Sequence, residues 1–168
     1  ILFVLSANLS IEEMQNVKNL AAKLNLDVSG YSPNTFDESF ADDYLKTNDR
    51  TANRAAFKEL QIDESKEYFD EKLNKASLVI IVENSYFENN ANLLENKKVI
   101  SLFSHHCMTI ASSNIAIPVA SFYEKSGTYI NINGIKQKVI SKMNKNNPMQ
   151  SITTVIEHLK SMIEKGTV

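Results

Sequence analysis

Two unbroken apolar runs, Ile1-Leu2-Phe3-Val4-Leu5 and Leu78-Val79-Ile80-Ile81-Val82, constrain the fold more than any other feature of this chain. Neither alternates with polar residues, so each reads as a strand covered on both faces, as in the parallel sheet of a layered α/β protein. Each is far shorter than the roughly 20 apolar residues of a membrane-spanning helix, so no direct membrane insertion is expected. Parallel strands need crossover connections, and the residues after the first run supply one. Ser10 followed by Glu13 is a capping-box signature. Ile11, Met14, Val17, Leu20, Ala21 and Leu24 then recur at helical spacing. Leu26-Asp27-Val28-Ser29 completes a βαβ unit, expected to be right-handed.

The same alternation continues. Short helices are expected over 53–60 and 64–74, a brief one near 87–94, strands over 99–103 and 115–119, and a closing helix over 151–165. That last helix carries Ile152, Val155, Ile156, Leu159, Met162 and Ile163 on one side. Residues 144–148 are a polar break. The expectation is one α/β domain over residues 1–168: a three-layer, Rossmann-like sandwich with a mainly parallel sheet, a C-terminal β-hairpin and a closing helix. Such sheets take ligands beyond the carboxyl ends of their strands. Here those ends are residues 6–10, 83–86 and 104–109. Residues 31–50 break the pattern with Pro33, several acidic residues and the isolated aromatics Phe36, Phe40 and Tyr44. A connection of this length inside a domain is expected to be functional, interfacial or mobile.

Asn133-Gly134 marks the hairpin. A two-residue turn there needs positive φ at both positions. In that register Ile132 faces Ile135 and Asn131 faces Lys136, with Ile130, Ile132, Ile135 and Val139 on one buried face.

Bulk properties exclude more than they assign. A net charge of −2 leaves no basic footprint for nucleic acid, and Lys136, Lys138, Lys142 and Lys145 read as a solvated strip. Cys107 is the single cysteine. It can form no intrachain disulfide and cannot hold an iron–sulfur cluster, which takes about four thiolates. A reducing setting is compatible with it. The chain opens directly in a strand without an initiator Met, which points to a piece cut from a longer polypeptide.

Candidate chemistry is sparse. Gly30, Gly127, Gly134 and Gly166 form neither a dinucleotide-binding turn nor a Walker loop. Amides at residues 6–10 offer an anion site, but Glu12 and Glu13 oppose one, and ordinary capping accounts for them. In His105-His106-Cys107, neighbouring side chains of an extended segment point to opposite sides. With His158 on the last helix, no convergent set of metal ligands assembles, and none is assigned. A Cys107 nucleophile served by His105 or His106 would need a depressed thiol pKa and an orienting third group. No catalytic residue is assigned.

Residues 124–137, Glu-Lys-Ser-Gly-Thr-Tyr-Ile-Asn-Ile-Asn-Gly-Ile-Lys-Gln, resemble the Glu-Lys-x-Gly-Thr-x-x-Asn-x-x-Gly-Arg-x-Gln segment of the molybdopterin oxidoreductase family. The likeness is to the branch containing the large iron–sulfur subunit of respiratory NADH:quinone oxidoreductase (complex I), and to a C-terminal part of it. Glu124, Lys125, Gly127, Thr128, Asn131, Gly134 and Gln137 match without a gap. Ala116-Ile117-Pro118-Val119-Ala120, Ser6 to Glu13 and Asn53-Arg54-Ala55-Ala56 are similar to further family segments in the same order. The resemblance implies a structural, non-catalytic domain that holds no cofactor itself. Iron–sulfur clusters are then expected elsewhere in the parent chain, which relays electrons from NADH to quinone. Its implied partners are other subunits of the peripheral arm, through surfaces such as residues 36–44. Its implied location is cytoplasmic, peripheral to the inner membrane through those subunits. In catalytic relatives this region lies near a pterin, so Thr128, Asn131 and Gln137 are the cofactor-binding candidates, vestigial ones under the structural reading. The alternative is the pterin-binding domain of a molybdenum or tungsten oxidoreductase such as a formate dehydrogenase or nitrate reductase. Ile135 stands where the family often has Arg, which removes a bidentate partner for a phosphate.

Overall fold

The computed structural model describes residues 1–44, 46–141 and 149–165. The first apolar run is β1 (Leu2–Leu5), and Ser10 caps α1 (Ile11–Leu24) with both halves of the capping box formed. The chain then returns as β2 (Asp27–Ser29), parallel to β1. The second run is β3 (Leu78–Val82), followed by β4 (Lys98–Phe103) and β5 (Ile115–Pro118). All pairings are parallel and the order is β2-β1-β3-β4-β5. β1 lies between β2 and β3, so the chain steps out to one side and then builds to the other. This is a doubly wound order, with its switch at β1.

Strand periodicity sorts the core into two layers. Phe3, Leu5, Val82 and Leu102 pack with α1, with α2 (Ala55–Glu59) and with α5 (Ile152–Glu164). Leu2, Val4, Val79, Ile81, Val99 and Phe103 face the opposite way, onto Phe69 and Leu73 of α3 (Lys66–Lys75) and onto Phe87. The expected three-layer α/β sandwich with a closing helix is therefore what the chain forms. The terminal helix starts and ends one residue inside the expected span, with Ile152 and Ile156 buried and Met162 exposed. No helix among the described residues is long and apolar enough to cross a membrane.

Three expectations need correction. The brief helix near 87–94 is a pair of 3₁₀ turns, Ser85–Glu88 and Ala91–Leu94. A short helix not foreseen, α4 (Met108–Ala111), follows β4. The hairpin of β6 (Gly127–Ile130) and β7 (Lys136–Val139) is shifted by one residue: Ile130 pairs with Lys136, and the Asn131 amide donates to the Ile135 carbonyl at 3.1 Å. Of the turn residues only Gly134 has positive φ, at +77°. The Asn131 carboxamide oxygen accepts from the amides of Asn133 (3.0 Å) and Ile135 (2.9 Å), so the side chain starts the turn earlier than the Asn-Gly pair does. The slip exposes Ile132 and Ile135, against the expectation of a buried face. Conversely Tyr129, expected on the polar face, is buried as Ile130 is: its ring packs edge-on against Phe122, with centroids 5.4 Å apart, while Ile130 joins the main core. The polar break at 144–148 lies outside the described residues, as do Lys142 and Lys145 of the basic strip.

Residues 31–50 are partly organised. They hold 3₁₀ turns Pro33–Thr35 and Glu38–Phe40 and a bridge between Phe36 and Asp49. Arg54 is the fastener. Its guanidinium binds Asp49 (2.9 Å), Glu64, Thr35 and the Ser32 carbonyl (3.2 Å), and lies 4.3 Å from the centre of the Phe36 ring. Next to it, fully buried Asn53 joins three segments. Its amide donates to the Ala7 carbonyl (2.9 Å), its Nδ2 donates to the Leu9 carbonyl (2.7 Å), and its Oδ1 accepts from the Ile130 amide (2.7 Å). Asn53→Ala is expected to cost about 2–3 kcal/mol by leaving the Leu9 carbonyl and the Ile130 amide unpaired in the interior. A fall in the urea midpoint without a change in slope checks it.

Candidate functional site

The carboxyl ends of β1, β3 and β4 open into a cleft of about 360 Å³. Asn8 and Leu9 follow β1, Glu83 follows β3 and Ser104 follows β4; Tyr123 and Lys125 close it from the segment that leads into the hairpin. Its position is the one that the doubly wound order dictates, since the connections leaving the neighbouring strands β1 and β3 run to opposite faces of the sheet and part there.

Glu83 is the strained residue of this cleft. Its φ of +53° is in the left-handed region, uncommon for a residue with a long side chain. Strand pairing and hydrogen bonding hold it there. Its amide donates to the Leu102 carbonyl (2.9 Å), one carboxylate oxygen accepts from the Ser104 amide, and the other lies 4.0 Å from His105 Nδ1. A carboxylate at the mouth of a cleft, held at a backbone cost, is a candidate ligand-facing group.

Lys125 forms the opposite wall and is almost wholly paired inward. Its Nζ lies 2.9 Å from both oxygens of Glu13, with the two side chains only 8% and 3% exposed. The same Glu13 carboxylate accepts from the Ser10 amide (2.9 Å), completing the capping box. A buried pair satisfied in this way gives little net stability but is costly to break from one side.

The three cofactor-binding candidates fall in different surroundings. Thr128 is turned to α1, donating its amide (2.8 Å) and hydroxyl (2.6 Å) to the Glu12 carboxylate. Asn131 uses its carboxamide oxygen in its own turn. Gln137 is exposed on β7. None of the three lines the cleft. Gly127 serves close approach, because a Cβ there would come within 2.4 Å of the Ser10 Cβ. The negative first turn of α1, with Glu12 and Glu13, thus meets hydrogen-bond donors and an ammonium group from the hairpin strand.

After β4, His105 and His106 are exposed and Cys107 is buried. His105 and Cys107 meet Glu88, which ends the 3₁₀ turn after β3. Nothing local in the sequence marks Glu88; only the adjacency of β3 and β4 brings it there. His158 is exposed on α5. Tyr129, behind the clamp, has its phenol pushed well above the ordinary value by burial and by the Glu13 and Glu12 carboxylates.

No protein-family model matches the chain, and no curated protein matches it significantly.

Burial acts to raise the pKa of Glu12, but hydrogen bonds from the Thr128 hydroxyl and amide outweigh it and hold the carboxyl below its ordinary value. Its contribution to stability is therefore full above the unfolded value near 4.5 and is lost as pH falls through the lower folded value. Thr128→Val is expected to flatten the acid limb of a stability-versus-pH profile below about pH 4.5, read from thermal melts. Lys125→Met is expected to cost about 3–5 kcal/mol at neutral pH by stranding the Glu13 charge. Adding Glu13→Gln to Lys125→Met is expected to recover part of that loss.

Proposed function

We propose that this chain is a structural, non-catalytic domain of an iron–sulfur subunit like the large one of respiratory NADH:quinone oxidoreductase (complex I), supporting electron transfer from NADH to quinone. The observation that carries the reading is where the matched hairpin residues spend their polar groups. Lys125 is paired with Glu13, Thr128 with Glu12, and Asn131 with its own turn. Gly127 and Gly134 serve close approach and positive φ. A segment that in catalytic relatives lies near a pterin here works as a latch on α1. The Thr128 amide and hydroxyl and the Asn131 carboxamide oxygen are already used within the fold, and Ile135 is an exposed butyl group in place of a guanidinium, which counts against a bound pterin. A single cysteine does not fit an iron–sulfur cluster either. The clusters of the proposed parent would be held outside this chain.

In this reading the domain is a packing element of the peripheral arm, on the cytoplasmic side and attached to the inner membrane only through partner subunits. Exposed Phe36, Phe40 and Tyr44 form the surface offered to a neighbouring subunit. They carry apolar area where a lone soluble surface gains nothing from it.

One observation favours the alternative, a pterin-binding domain of a molybdenum or tungsten oxidoreductase. The cleft at the strand ends is at the small end of the range for small-molecule sites, and strained Glu83 faces it. Elemental analysis of the intact parent for iron, molybdenum and tungsten decides between the two. Iron without molybdenum or tungsten is the expected result. Stoichiometric molybdenum or tungsten, lost in Thr128→Val, would overturn the structural reading.

A further inference from the structure

We infer that Glu88, His105 and Cys107 form a binding site for a divalent transition ion of the zinc class. One donor atom from each residue lies within 4.8 Å of the other two. The site follows from topology. β3 and β4 are neighbours in register, so the turn after β3 and the segment after β4 leave the sheet side by side and carry Glu88 to the other two. His105 and Cys107 are two residues apart in the segment that bends away from β4 at 104–105, and a ligating atom of each comes within 4.8 Å of the other. His106 is exposed and does not belong to the converging group.

The donor set selects the ion. A thiol, an imidazole and a carboxylate suit a borderline ion such as Zn²⁺, not Mg²⁺ or Ca²⁺, which take oxygen ligands. Bonds of about 2.0–2.3 Å at tetrahedral angles place donor atoms about 3.5 Å apart. Closing from 4.8 Å takes a rotamer change of the exposed His105 and half-buried Glu88 around the fixed, buried Cys107. Three protein ligands leave a fourth position for water. On binding, the Cys107 thiol gives up its proton to solvent as the metal–sulfur bond forms.

The surroundings fit. Glu88 makes no hydrogen bond or ion pair with another side chain among the described residues, so its carboxylate is not already committed. The Glu83 carboxylate lies 4.0 Å from His105 Nδ1, beyond hydrogen-bond distance; an approach of about 1 Å would let it accept from that nitrogen as an outer carboxylate and leave Nε2 for the metal. Cys107 belongs to the apolar cluster of Phe87 and Phe103, which gives the sulfur a dry backing. None of the three ligands lines the cleft beside Glu83; His105 borders a separate opening with Phe103, His106 and Ile110.

The test is titration of the purified, chelator-treated chain with Co²⁺ as spectroscopic probe and with Zn²⁺ as competitor. The expected result is one Co²⁺ per chain with a thiolate-to-cobalt charge-transfer band, bleached by Zn²⁺. Cys107→Ser abolishes the band, and Glu88→Gln and His105→Ala weaken binding by at least about tenfold. His106→Ala leaves it unchanged. Because Cys107 is buried and its variant can misfold, the surface variants Glu88→Gln and His105→Ala carry the decision. Wild-type protein without stoichiometric binding would overturn the proposal. So would binding that persists in both surface variants, or that falls equally in His106→Ala.

Discussion

The carboxylate of Glu13 is buried in the first turn of α1, and much of the architecture is arranged to hold it. Two kinds of partner meet it: the Ser10 cap from the adjacent loop and the Lys125 ammonium from a segment more than a hundred residues away. The Lys125 contact pins the entry to β6 against the helix start. Glu12 extends the junction by taking the amide and hydroxyl of Thr128, and Gly127 lets the backbones touch where any side chain would collide with Ser10. A helix N-terminus ordinarily attracts an anion from outside. Here the chain's own carboxylates occupy it, and the hairpin supplies the balancing donors. That arrangement turns a potential ligand site into a domain-internal fastening.

Beyond the clamp, the carboxyl ends of the parallel strands supply everything that looks chemically poised. A parallel sheet releases all its connections in one direction at one edge, so polar residues unrelated in sequence collect there. Glu83, Ser104, His105 and Cys107 leave β3 and β4 at that edge, and Asn8 leaves β1. Two buried asparagines stabilise the same edge. Asn53 ties the loop after β1 to β6, and Asn84 donates to the Leu5 and Tyr31 carbonyls and to Ser32 Oγ. The edge therefore has a rigid frame beneath a small opening. Strain at Glu83 is kept by that frame, because both its amide and its carboxylate are engaged with β4 and the residue after it.

Where reading from sequence and the structure part, the cause is specific. The capping box at Ser10 and Glu13 was legible because it is made within four consecutive residues. The hairpin turn was only half legible. Asn-Gly implied a two-residue turn, but Asn131 has a side chain able to satisfy two amides, and it moved the turn start by one residue. With a period of two, that single step moved Ile132 and Ile135 to solvent. Tyr129 went the other way because Phe122, from the segment before the hairpin, packs on a face that looked open from the hairpin alone. Glu88 carried no sign of its own; it stands in an unremarkable polar stretch, and its neighbours in space belong to another strand.

The amino-acid sequence by itself determined the layers. Apolar runs too short to span a membrane and too continuous for a one-sided sheet must be covered on both faces, and helical stripes between them provide the cover. It also determined the local caps, because those depend on residues a few positions apart. Tertiary structure alone decided the strand order, the pairing of Lys125 with Glu13, the strained placement of Glu83 and the convergence of Glu88 with His105 and Cys107. Each of these joins residues through contacts between strands or across layers. Such contacts depend on which elements become neighbours, which no local periodicity encodes.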